Sequence, residues 1–181
     1  MLKFQKSKSQ DITKILAMDF ILHYMKNKFF SNEDLTYNDL YFVCYMIERT
    51  ARELHRRNRY VVEHIGKEEL YVQLSTAQVN HCLNPDEVVH TWIKQYNLTP
   101  GDFNICDVDK TYATVIPTPT QMGKVYARLI YASITDNQDW TDVIIDVYSS
   151  PICDTIDNYN SSAFYEPSYI QLRAYREGVF A

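Results

Sequence analysis

Glycine and proline are both scarce in this chain, at 4 and 6 of 181 residues. That scarcity argues against a loop-rich, sheet-rich or collagen-like protein and favours helices. Cysteine is limited to Cys44, Cys82, Cys106 and Cys153, isolated from one another. Without a CxxC pair or close Cys/His spacing, a zinc ribbon or finger is not expected. No apolar run approaches the roughly 18 residues of a membrane span. The basic start, MLKFQKSKSQ, lacks the apolar stretch that follows in a secretory signal. Cytoplasmic residence with reduced thiols is therefore the expectation. A serine-hydrolase elbow, a Walker loop, GxGxxG and HExxH are all missing. So are internal repeats and low-complexity segments, and neither a cofactor nor a metal is expected.

What is present fits one compact domain of residues 11–181 behind a short basic arm, residues 1–10, with Lys3, Lys6 and Lys8. A subdivision into a helical front, 11–60, and an α/β remainder, 61–181, is the alternative. A hydrophobic share of 46% against 23% charged residues allows a sizeable core. Tyrosine supplies 15 of the aromatic residues, beside Phe 8 and Trp 2. Phenols want their hydroxyls satisfied, so many of these rings belong half-exposed, which suits recognition surfaces. The net charge of −5 hides an asymmetry. Residues 1–59 carry 11 Lys+Arg against 7 Asp+Glu, whereas residues 100–181 carry 5 against 11. A basic front and an acidic back give the molecule a directed field.

The stretch Leu35 to Tyr60 organises the chain. Wound as a helix, it places Leu40, Val43, Ile47 and Leu54 on one side, with Cys44 and Ala51 at the edge. Tyr41, Tyr45, Arg49, Arg52, Arg56 and Arg59 fall on the opposite side within an arc of roughly 100°, with Arg57 adjacent. Aromatic and guanidinium groups in a row can stack on bases and grip phosphates. The alternative is a solvated face whose arginines pair with neighbouring carboxylates.

Upstream, Asp11 caps an expected helix over DITKILAMDFILHYMKNKFF. Downstream, alternation over YVVEHIGKEELYVQLS predicts a β-hairpin across Gly66-Lys67-Glu68, with a helix as the runner-up. Ser75-Thr76 begins a short helix, and Asn84-Pro85-Asp86-Glu87 starts another. With one base, Lys94, and an acidic start, that helix makes a poor DNA-recognition helix. FNICDVDKTYATVIP reads as a second hairpin. Thr118-Pro119-Thr120-Gln121 opens a further helix, Asp139 to about Asn158 forms another with a break at Pro151, and PSYIQLRAYREG ends at Gly178. The class is α+β, mainly helical, with one or two small antiparallel hairpins.

If the helix from Asp139 runs on past Pro151, then Asp139, Asp142, Asp146, Asp154 and Asp157 share about 120° of arc. Such a row can imitate a phosphate backbone before a protein's DNA-binding groove, or it is simply a solvated face. For nucleophilic chemistry, His81 sits beside Cys82, yet adjacent helical residues point about 100° apart. His55, beside Arg56 and Arg57, is the one place where a general base would meet bound phosphates.

In size, helical α+β build, tyrosine and asparagine richness and lack of catalytic signatures, the chain resembles accessory proteins of phages and mobile elements. Among these it is similar in style to anti-CRISPR proteins, which bind an RNA-guided nuclease. The resemblance covers overall character and transfers no residues. The leading reading is a non-catalytic binding protein whose partner is nucleic acid or a nucleoprotein complex, with a homodimer left open. A protein-binding inhibitor using the acidic face, and a nuclease without a recognisable motif, are the alternatives.

Overall fold

The helical bias is realised over most of residues 25–180, which, apart from Tyr112, Thr114 and Asp136, the computed structural model describes. The basic arm, residues 1–10, lies outside the described residues, as does the helix expected from Asp11 as far as Tyr24. The end of that stretch is not helical. Met25–Lys26 forms β1, antiparallel to β2 at Asp34–Leu35, with Met25 opposite Leu35. Asn27 fixes the turn between them. Its Oδ1 accepts from the amides of Phe29 and Phe30, while its Nδ2 donates to the Ser75 carbonyl at 2.8 Å.

Helix α1, Tyr37–Glu53, begins at a capping box in which Thr36 and Asp39 satisfy each other's backbone amides. Leu40, Val43, Cys44, Ile47, Ala51 and Leu54 are all buried, as the stripe requires. So are Phe42, Met46 and Glu48, because α1 is covered on several sides by α2 (Asn58–Asn80), α3 (Pro85–Gln95) and α4 (Pro119–Ser133). Beyond them come α5 (Trp140–Ser149), α6 (Pro151–Ile156), a 3-10 turn at Ala163–Tyr165 and α7 (Ser168–Glu177). One buried apolar cluster runs through all seven helices of the described residues. The fold is α+β and mainly helical, with one small antiparallel hairpin among the described residues.

Three expected elements differ. The hairpin placed over residues 60–75 is helix α2, broken at Gly66, whose φ of 73° is left-handed. Val61, Val62 and Ile65 are buried together, a one-and-four spacing that only a helix aligns. The described part of 103–117 is a chain of turns without a strand, because Asn104 and Asp109 cap local turns through their side chains. The short helix expected from Ser75-Thr76 has no start of its own and is the C-terminal part of α2. The helix begun at Asp139 does break at Pro151 as expected: it stops at Ser149, since Ser150 must be extended before Pro151 (φ −73°, ψ 151°), and α6 follows. The starts at Asn84, Thr118 and Asp139 and the stop at Gly178 fall where the capping residues place them. Among the described residues, no helix is long and apolar enough to cross a membrane.

Candidate functional site

The row of tyrosines and arginines is not one helix face. Helix α1 ends at Leu54, His55 turns left-handed (φ 52°), and Arg57 is extended before α2 begins. Arg49 and Arg52 therefore stay on α1, while Arg56, Arg57 and Arg59 belong to the α1–α2 junction. Tyr41 and Tyr45 stack with ring centroids 6.3 Å apart, half-buried against the core, and burial raises the Tyr41 phenol above its ordinary value. Arg49 donates to the Tyr45 hydroxyl and pairs with Asp86 on α3. Arg52 turns inward, donating to Glu48 at 2.7 Å, the Pro117 carbonyl at 2.8 Å and the Tyr159 hydroxyl at 2.9 Å.

The junction itself encloses an open cavity of about 270 Å³, walled by His55, Arg56, Arg57, Arg59, Tyr60 and Phe103. Arg56 lies 4.5 Å above the Tyr60 ring and donates to the carbonyls of Thr99 and Pro100. It crosses so close over Gly101 that a Cβ there would meet its side chain at 2.6 Å. Arg57 stacks 4.2 Å from the Phe103 centroid. Arg59 donates to the carbonyls of Tyr148 and Ser150, where the C-terminal end of α5 favours a cation. Arg57 and Arg59 share one carboxylate, Asp154, at 3.2 and 3.3 Å. Glu63 and Asp102 also line the cavity, neither within ion-pair distance of an arginine. The chain matches no protein-family model, no curated protein and no solved structure at significant similarity.

The five aspartates do not form a row either, since the break at Pro151 separates α5 from α6. Asp139 caps α5 and, with Asp142, surrounds Lys67; Asp154 serves the arginines; Asp146 is exposed. Asp157 is buried. Lys67 and Phe103 are surface residues that helical angles did not single out, because they meet these groups only through tertiary packing; Tyr60, four residues after Arg56, meets it locally. His81 and Cys82 do approach, Nε2 lying 3.8 Å from Sγ, a long sulfur hydrogen bond on the exposed turn that follows α2. Among the described residues no group of three His, Cys, Asp or Glu side chains could hold a metal ion.

Behind the junction lies a buried polar network. Asn58 Nδ2 bridges Glu48 at 2.7 Å and Asp157 at 3.1 Å. Tyr126 donates to Asp157 at 2.6 Å, Tyr159 donates to Glu48 at 3.0 Å, and the Cys153 thiol faces Asp157 at 3.5 Å. Burial, with the Glu48 charge adding to it, pushes the Asp157 carboxyl up to about 8. The folded state then holds a proton that the unfolded chain releases near pH 4. The contribution of Asp157 to stability is accordingly greatest at the acid end of this window and falls as pH rises from about 4 to about 8, by up to roughly 1.4 kcal/mol per pH unit. Denaturant titrations across that range should show the slope in the native chain and its loss in Asp157→Asn. An equal slope in both would assign the proton elsewhere.

Proposed function

We propose that this chain is a non-catalytic, cytoplasmic binding protein that engages nucleic acid, free or within a nucleic-acid-processing complex, at the α1–α2 junction. The observation that supports this is the convergence of Arg56, Arg57 and Arg59 with Tyr60 and Phe103 on one open cavity, where Arg57 and Arg59 share a single paired carboxylate. Phosphate oxygens are what unspent guanidinium donors bind best, in one- or two-point contacts. The service of Arg49, Arg52 and much of Arg56 to the fold narrows the interface from a helix face to this junction. An inhibitor of the anti-CRISPR kind, carried by a phage or mobile element, completes the reading and rests on overall character.

Arg57 is the residue to change, since its side chain is half-exposed and its ion pair lies at the surface. Arg57→Ala should leave stability within about 1 kcal/mol. It should weaken binding to labelled single-stranded DNA, single-stranded RNA and duplex alike, and lower the salt dependence by roughly 0.7 to 0.9. Fluorescence anisotropy at low and moderate salt measures both. If none of the three nucleic acids binds at low salt, the junction is structural and the proposal falls.

A further inference from the structure

A second cavity, of about 360 Å³, lies away from the arginine junction, between the start of α4, residues 115–117 and the 3-10 turn leading to α7. Its rim is apolar and open to solvent: Val115 is 58% exposed and Tyr165 61%. Tyr165 spans the walls, its hydroxyl donating to the Val115 carbonyl at 3.3 Å, with its ring 3.8 Å from that of Phe164. Exposed large apolar side chains gathered at one groove mark a contact surface more than a solvated one.

The same groove carries Lys124 and Arg128, one turn apart and both exposed on α4. Among the described residues neither has an ion pair, in a chain whose net charge is −5. Lys124 lies 6.0 Å from the Tyr41 ring, and the Arg128 charge acts on the Tyr37 phenol. Four residues of helix advance about 6 Å, close to the roughly 6.6 Å between alternate side chains of an extended strand. Two carboxylates at alternate positions of an extended segment would meet both cations, and a neighbouring aromatic or aliphatic side chain would enter the apolar groove beside Tyr165. A phosphate backbone fits less well, because beyond Lys124 and Arg128 the lining offers no further cation and is walled by Val115, Val125 and Tyr165, whereas Glu166 repels phosphate and carboxylate alike.

We infer that this groove docks an extended acidic segment of a partner protein, carrying carboxylates at alternate positions and a large apolar anchor beside them. It is independent of the arginine junction and stands whether or not that site binds nucleic acid. The test uses an array of short fluorescein-labelled peptides with two aspartates at alternate positions and one aromatic residue at each flanking place, with lysine-substituted controls. At least one acidic peptide should bind saturably at micromolar concentration, and its lysine control should not. Lys124→Glu combined with Arg128→Glu should weaken binding tenfold or more, and Tyr165→Ala several-fold. All three side chains are exposed, and an unchanged helical circular dichroism signal verifies the fold. The inference is overturned if no peptide binds saturably, or if binding ignores both sets of variants. It is equally overturned if those variants abolish self-association in sedimentation, which would give the groove to a second copy, or affect nucleic-acid binding alone.

Discussion

Glu48→Ala should cost about 3–5 kcal/mol of stability, the largest loss expected from any single side chain in this protein. Glu48 is wholly buried, and its carboxylate accepts from Arg52, Asn58 and Tyr159 together. Removing it leaves a guanidinium, an amide and a phenol facing a void, each having lost an acceptor inside the core. Against a total of about 5–15 kcal/mol, that loss lowers the denaturant midpoint severely and the melting temperature by roughly 10 °C. The variant also removes the charge that helps hold the Asp157 carboxyl up, so the decline in stability between pH 4 and 8 should shrink with it. A loss below about 1 kcal/mol would show that the network is dispensable.

Gly123→Ala should destabilise although it raises helix propensity. In an exposed helix the change gains about 1 kcal/mol. Here the new Cβ would lie 2.8 Å from the Tyr45 Cα and 3.0 Å from its backbone nitrogen. Those atoms belong to the backbone of α1 and cannot swing aside as a side chain would. The two helices must separate, loosening contacts along a seam that includes buried Met122, Tyr126 and Ala127. Overpacking costs about 1–3 kcal/mol and sometimes more, so after the propensity gain a net loss of about 1 kcal/mol is expected in urea unfolding. A stabilised variant would mean that the helices do not approach so closely.

Much of the helical framework was legible because local rules write it. Asn84 with Pro85, Thr118 with Gln121, and Gly178 each start or end a helix within a few residues. The hairpin reading of residues 60–75 failed where β-branched residues and a glycine imitate alternation over a short run, a case that periodicity alone does not resolve. The candidate site was less legible. Arginines one turn apart look like an interface until His55 ends the helix and each finds a carbonyl or carboxylate more than thirty residues away. Asp157 looked like the end of an acidic face, and only the break at Pro151 and the arrival of Asn58 and Tyr126 place it inside. Glu48 carried one faint signal, its position one turn after Cys44 at the margin of the apolar stripe.

The Glu48–Tyr159 hydrogen bond joins residues 111 positions apart. On a ribosome adding about 5–20 residues per second, Tyr159 is made roughly 5 to 20 seconds after Glu48. Throughout that interval the nascent chain has its central helix but lacks the phenol and carboxyl that complete the polar cluster around Glu48. Closing over Glu48 before then would bury a carboxylate that has Arg52 and Asn58 but lacks the Tyr159 hydroxyl, so its hydrogen-bonding shell can be completed only once Tyr159 has been made.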